Sequence, residues 1–277
     1  MSSAVPAGRL VRQRRLKRST RRRLFTSGLY ALFVIAAVLV VLFVNWHDVQ
    51  SNFFDGQVWK DQFPSIITTG AKNTVIYTAA SFVFGFALAI VLALMKLAPV
   101  GPYRWIATTY IEFFRGLPAL VVIFAVAFAV PIAFNGWRPP GGTGGQGVLA
   151  LTLVYGAYMA ETLRAGIQAV PKGQNEAARS LGMSAPRTMV SITLPQAFRI
   201  VVPPLTNEFV ALLKDTSLLS VIGFTVGQRE LTALASDNLN ANANSSPLIA
   251  AALIYLVITL PLTQLVAWLE RRGQRGR

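Results

Sequence analysis

Long apolar runs alternate along the chain with short polar stretches, and the runs have the length of membrane crossings rather than of strands or soluble-core helices. A bilayer-spanning helix needs roughly 20 apolar residues. Residues 25–45, 73–96, 106–134, 148–166, 201–226 and 247–269 supply six such segments. The first ends in Val44-Asn45-Trp46-His47, an interface-like finish with an aromatic anchor, and no small-residue cleavage site follows as it would in a signal peptide. Between the crossings, residues 46–65 read as an external loop that continues polar to Lys72, and residues 227–246 as an external Asn/Ser-rich loop. Pro99, Gly101 and Pro102 break the chain between the second and third crossings. The third is interrupted early by Glu112, Arg115, Gly116 and Pro118. Thr74, Thr78, Ser81, Gly85, Ala87 and Ala89 give the second crossing a small-residue face suited to close helix packing. The pattern predicts an all-α integral membrane protein with six transmembrane helices.

Composition agrees: 53% of the 277 residues are hydrophobic and 13% charged, with a mean hydropathy of +0.51. Soluble domains average about 25% charged residues. The formal charge is +15, and its placement orients the chain. Nine of the 26 basic residues precede Phe25 (Arg9, Arg12, Arg14, Arg15, Lys17, Arg18, Arg21, Arg22, Arg23), and Arg271, Arg272, Arg275 and Arg277 close the C-terminus. Predicted external loops hold few, chiefly Lys60, Arg138 and Arg229. By the positive-inside rule both termini are cytoplasmic. Residues 1–24 then form a basic cytoplasmic tail and 271–277 a second one. An apolar run follows the first tail at once, so it reads as an anchor attracted to anionic membrane lipid rather than as a nucleic-acid arm.

Little enzymatic chemistry is available. There is no cysteine, and His47 is the single histidine, placed at a membrane edge, so no metal site is expected. Gly141, Gly142, Gly144, Gly145 and Gly147 make a glycine-rich stretch, but a phosphate-binding loop needs Lys and Ser or Thr after its last glycine. Val148-Leu149 stand there instead, and the stretch reads as a flexible external turn. The chain is not expected to be an enzyme, and any ATP it uses is hydrolysed by another chain.

The exception to the membrane pattern is a polar island in the predicted cytoplasmic segment 170–200. It reads as two short helices separated by Gly182. Asn175 is the expected N-cap of the first and Gly182 its left-handed C-terminal stop; Ser184 is the expected cap of the second, with Pro186 in its first turn. Ala177 and Ala178 would leave a low-profile surface for a partner. Periodicity alone also fits an ordinary amphipathic helix pair at the interface.

Glu176-Ala177-Ala178, Gly182, Ile192 and Leu194-Pro195 stand at the spacing of the coupling motif of ABC-transporter permease subunits, and every position matches. Further stretches resemble the polar amino-acid permeases that serve histidine, glutamine, glutamate and arginine. They are Tyr110-Ile111-Glu112-Phe113-Phe114-Arg115-Gly116-Leu117-Pro118, Ala157-Tyr158-Met159-Ala160-Glu161, Gly166-Ile167-Gln168 with Val170-Pro171-Lys172-Gly173-Gln174, Pro203-Pro204-Leu205-Thr206-Asn207 and Leu213-Lys214-Asp215-Thr216-Ser217-Leu218. The resemblance covers about residues 66–270, the five-helix core of a type I ABC importer permease. The crossing 25–45 is an addition most similar to glutamate permeases of actinobacteria. The family resemblance implies a bacterial plasma-membrane location and an importer with two ABC ATPase subunits that bind ATP and Mg, a second permease expected to be a different chain, and an extracellular or lipid-anchored amino-acid-binding protein. Glutamate or glutamine is the expected cargo.

A charge within a span is costly and marks function. A zwitterionic amino acid would need anions for its ammonium and cations for its carboxylate. Lys214, Asp215, Thr216 and Ser217 could serve, with Glu161, Tyr158 and Asn207 on neighbouring turns; Lys214 and Asp215 could equally neutralise one another to hold a gate. Glu112 and Arg115, three residues apart, are expected to form a structural ion pair. The alternative reading is a secondary amino-acid transporter with its own coupling ion and no ATPase.

Overall fold

The computed structural model describes residues 18–275. Arg9, Arg12, Arg14, Arg15, Lys17 and Arg277, assigned above to basic tails, lie outside them. The described residues are helical almost throughout and contain no strand. They divide into two compact units, one ending at Ser51 and the other beginning at Asn52.

In the first unit, α1 (Arg18–Phe43) carries the expected N-terminal crossing, Phe25–Phe43. A short break at Asn45 separates it from α2 (Trp46–Phe53). Side chains fasten that corner: the Trp46 indole N–H donates to the Val41 carbonyl at 2.8 Å, and Asn45 Nδ2 donates to Asp48 Oδ2 at 2.6 Å.

The stretch expected as an external loop before the second crossing is helical instead. Asp55 caps α3 (Gly56–Ser65), accepting from the backbone N–H of Gln57 at 2.8 Å and of Val58 at 3.3 Å. A π-helical turn, Ile66–Ala71, then leads without interruption into α4 (Lys72–Leu97). The segment is polar in sequence yet has the cap and the turn residues of a helix, and Gln62 and Ile66 are buried.

The expected third crossing is broken in two. α5 (Gly101–Gly116) and the run α6 (Ala119–Phe124), π-turn Ala125–Ala129 and α7 (Val130–Ala133) meet at a 105° bend. Pro118 is the cause, because proline forces the preceding residue out of the helical region and offers no N–H. Leu117 accordingly sits at φ −94, ψ 141.

The glycine-rich stretch is only partly a turn. Gly141 and Gly142 have φ of +92 and +62, but α8 (Gly142–Gln168) takes up the remaining glycines. A Cβ on Gly144 would stand 2.6 Å from Tyr77 Oη, so the absence of side chains lets α4 approach the start of α8. The same device recurs deeper: a Cβ on Gly85 would meet Met159 Cε at 2.8 Å, and one on Gly156 would meet Leu88 Cδ2 at 2.8 Å. The predicted small face of α4 is buried here at Thr74, Thr78, Ser81, Gly85 and Ala89, while Ala87 stays exposed.

After α8 come α9 (Lys172–Ser180), α10 (Ala185–Thr188), a π-turn Met189–Thr193 and α11 (Leu194–Asp215), which runs through Pro203 and Pro204. A 3₁₀ segment, Thr216–Ile222, ends at Gly223 with φ +72, so the expected crossing 201–226 is a helix plus a tighter, separate cap. The predicted external loop 227–246 contains α12 (Leu231–Asn242), and α13 (Ser246–Arg275) covers the last crossing.

Among the described residues three helices are long and apolar enough to cross a membrane, and the bent pair α5/α6–α7 raises that to four. α8 and α11 are not among them; they carry Glu161 and Arg164, and Arg199, Glu208 and Lys214, respectively. The expected six therefore rests on the sequence pattern. The main core forms where α4, α5, α8 and α11 meet, with Ala89, Ile111, Leu151, Met159 and Leu212 almost fully enclosed. A smaller core joins Ile66 to Leu231 and Leu234 of α12 and Ala250 of α13.

Candidate coupling surface and charge cluster

Helix α9 starts at Lys172, behind Pro171, and not at Asn175. Pro171 offers no N–H and its φ of −56 suits the start of a helix, so it displaces the expected cap. Asn175 lies inside α9, where its Oδ1 accepts a 2.7 Å hydrogen bond from Thr193 Oγ1. The C-terminus is a Schellman turn. Met183 N–H reaches the Ala178 carbonyl at 3.1 Å, Gly182 N–H reaches Arg179 at 3.0 Å, and Gly182 has φ +84. Ser184 precedes α10 as expected, with Pro186 in the first turn, but its side chain makes no capping bond; its carbonyl accepts from Thr188 instead.

The seven motif residues divide by exposure. Glu176, Ala177, Gly182, Leu194 and Pro195 are exposed, and Ile192 is half-buried. Ala178 is buried against its own chain, so only Ala177 presents the low-profile surface that both alanines were expected to form. Alanines of adjacent number face about 100° apart on a helix, and the side bearing Asn175 and Ala178 is turned inward. Leu181, beside the motif glycine, is 85% exposed, an apolar side chain that sequence reasoning did not single out.

The charges of the predicted spans form two groups, half-buried except for the exposed Arg115. In one, Glu161 accepts from Lys96 Nζ at 3.1 Å and is paired with Arg164, tying the end of α4 to α8. In the other, Asp215 accepts from Tyr155 Oη at 2.9 Å, the Tyr155 and Tyr158 rings lie 6.0 Å apart, and the Arg115 guanidinium stands 5.7 Å over the Tyr158 ring. The expected Glu112–Arg115 ion pair is absent among the described residues; Arg115 turns to the aromatic face, which attracts a cation electrostatically. Nor does Lys214 pair with Asp215. Lys214 and Asn207 are exposed on α11. Thr216 and Ser217 donate back to the carbonyls of Leu213 and Lys214 at 2.6 and 2.7 Å, closing the step from α11 into the 3₁₀ segment. The candidate residues thus gather only in part: Asp215 and Tyr158 share a cluster with Tyr155 and Arg115, while Glu161 belongs to another. Tyr155 was missed as a partner, although its spacing of three from Tyr158 puts both rings on one side of a helix.

A third polar node lies outside the predicted spans. Glu230 is fully buried at the start of α12 and accepts from the backbone N–H of Thr232 at 2.8 Å and of Ala233 at 2.5 Å, and from Tyr255 Oη at 3.1 Å. Burial pushes its carboxyl up to about 7, against the opposing pull of those donors. Neighbouring backbone is stitched to α4: Asn73 Nδ2 donates to the carbonyls of Gly227 and Arg229, and Tyr77 Oη to that of Gln228 at 2.7 Å.

Residues 85–275 match the family model described as the binding-protein-dependent transport system inner membrane component. The chain belongs to that family. It is 37% identical over 232 residues to the L-cystine transport system permease protein TcyB of Bacillus subtilis, covering 84% of this chain and 92% of that one. The probable glutamine ABC transporter permease protein GlnM of the same organism is 38% identical over 212 residues, covering 76% and 95%. Among solved structures, a chain of an amino acid ABC transporter crystallised with histidines superposes with a TM-score of 0.71 at 37% identity, over 79% of this chain and 98% of that one. The protein is thus a permease component, with the helical fold of ABC importer permeases. That membership leaves the secondary-transporter reading without support.

Proposed function

We propose that the chain is the membrane subunit of an ATP-driven importer of polar amino acids, crossing the bacterial plasma membrane six times with both ends inside. The observation that carries the coupling reading is the exposed face of α9. It holds Glu176, Ala177 and Leu181 at its surface and ends in a Schellman turn at Gly182, while its other side is fixed to the chain through Ala178 and Asn175. Two partner ATPases binding ATP and Mg would each receive such a helix in a groove. A second permease chain, a relative rather than a copy, would complete the path, and an external binding protein would deliver cargo. The relatives named for cystine and glutamine support the class of polar amino acids, and glutamine and glutamate are its first members to test.

Within this reading the cluster of Asp215, Tyr155, Tyr158 and Arg115 is the group of polar side chains available to an amino acid, with Lys214 and Asn207 on α11 and Ser217 in the 3₁₀ segment that follows it. Asp215 supplies an anion for the ammonium; Lys214 and Arg115 supply cations for the carboxylate.

The coupling face is tested by Glu176→Lys and Gly182→Pro at matched membrane abundance. Charge reversal opposes docking, and proline cannot adopt φ +84. Uptake of labelled glutamine or glutamate into cells should fall roughly tenfold or more, the equivalent of about 1.4 kcal/mol of lost docking. Normal uptake by both variants would overturn the assignment.

A further inference from the structure

The bond between Asn175 and Thr193 bridges two elements that the chain itself joins only through a turn and one short helix. The covalent route from α9 to α11 passes through the left-handed Gly182, the extended Ser184 and a four-residue α10. Thr193 is 1% exposed, and its hydroxyl crosses that corner to Asn175 Oδ1 at 2.7 Å. On the far side of the corner the backbone does not break. Thr188, at φ −59 and ψ −45, and Leu194, at φ −60 and ψ −44, bracket the π-turn in helical geometry, so Thr193 stands on a helical run that continues through Pro203 and Pro204 to Asp215. π-turns of this kind concentrate at functional positions.

We propose that Asn175 and Thr193 are positioning residues for coupling: their hydrogen bond joins α9 and α11 into one lever. The proposal rests on the ATPase-coupling function above. The pivot is the crossing of α8 and α11 at Gly166, where a Cβ would come within 1.9 Å of Val201 Cγ1 and 3.6 Å of the Ala197 carbonyl. At ~1.5 Å per residue, Thr193 lies ~12 Å on one side of Val201 and Asp215 ~21 Å on the other. A push on the exposed face of α9 then reaches the opposite end of α11 enlarged by nearly twofold on this geometry. That end is held to α8 by the 2.9 Å bond from Tyr155 to Asp215, which is the contact the lever would work against. With the Asn175–Thr193 bond gone, the same push is absorbed at the Gly182–Ser184 corner.

The test uses the full transporter with its ATPase and binding protein in liposomes, reading amino acid imported per ATP hydrolysed. Asn175→Leu and Thr193→Val each should lower that ratio about fivefold, the effect of one hydrogen bond. The double variant should be no worse than either single one, because both remove the same interaction. Asn175→Asp, which keeps the acceptor, and Thr193→Ser, which keeps the hydroxyl, should remain near the wild-type ratio. An unchanged ratio in Asn175→Leu, additive losses in the double variant, or equal losses in Thr193→Ser and Thr193→Val would each overturn the lever. Should Thr193→Val fail to insert, Asn175→Leu against Asn175→Asp decides alone, because Asn175 is only half-buried. A wild-type chain that retains no ATPase on purification refutes the coupling function itself, an outcome distinct from any of these.

Discussion

Gly166 shows how one missing methyl group sets a helix crossing. Its position on α8 is occupied by Val201 of α11, so Gly166→Ala must push the helices apart or force Val201 off its rotamer, a cost of about 1–3 kcal/mol. The melting temperature of the purified protein should fall, and Val201→Ala added to it should recover much of the loss by making room; no recovery would place the conflict elsewhere. Tyr155 is the second residue whose role depends on a single contact. Tyr155→Phe keeps the ring packing and removes the donor to Asp215, which should cost about 1 kcal/mol of stability. If Asp215 also receives substrate, binding of labelled amino acid to the detergent-purified complex should weaken in Asp215→Asn more than in Tyr155→Phe. Lys214→Ala should likewise reduce that binding, and undiminished binding with normal transport would remove Lys214 from the path. The sequence made Lys214 and Asp215 visible because charges in a span are conspicuous. It could not show that Asp215 is held by Tyr155 while Lys214 is left exposed, since that depends on which sides of α8 and α11 face each other.

At the scale of elements, the corrections share a cause. Residues 46–65 and 227–246 are polar enough to read as loops, yet Asp55 and Glu230 cap helices there; α12 buries Leu231 and Leu234 against α13 and the turn before α4, and Trp59 of α3 packs half-buried on the same cluster. The capping carboxylate of α12 makes this part of the fold sensitive to pH. Its folded value of about 7 lies above the ordinary 4.5, so the native state holds a proton between those values that the unfolded chain has released. The contribution of Glu230 to stability is therefore fully present below about 4.5 and is lost as pH rises through about 7, by on the order of 3 kcal/mol. The melting temperature should drop from pH 5 to pH 8, and Glu230→Gln should flatten that dependence; an equally steep profile in the variant would assign it to other groups. The break between α5 and α6 was legible as an interruption from Gly116 and Pro118, but its 105° angle was not. Proline dictates that the helix stops; packing against α8 decides where the chain goes next.

At the scale of the molecule, the permease fold and the family were both within reach of the sequence. Apolar runs, skewed basic residues and the fixed spacing from Glu176 to Pro195 are one-dimensional signals; the first two follow from bilayer thickness and the cost of moving cations outward, and the third from the docking helix proposed above. Cargo is different, because the chain presents both signs of charge and belongs with permeases named for different amino acids. Competition of unlabelled cystine, glutamine, glutamate and arginine against labelled uptake should single out one of them, and equal competition by all four would point to a broad-specificity path. The sequence by itself determined that the chain is an all-helical membrane protein of the permease family, and it marked Glu176 to Pro195 as the segment proposed to meet a partner. Only the tertiary structure decided that Ala178 faces inward, that Arg115 leaves Glu112 for the ring of Tyr158, and that Asn175 reaches Thr193 across a corner instead of capping its own helix. Those are choices among partners distant in sequence, and they are made by where helices cross, which the absence of side chains at Gly85, Gly156 and Gly166 permits but does not by itself dictate.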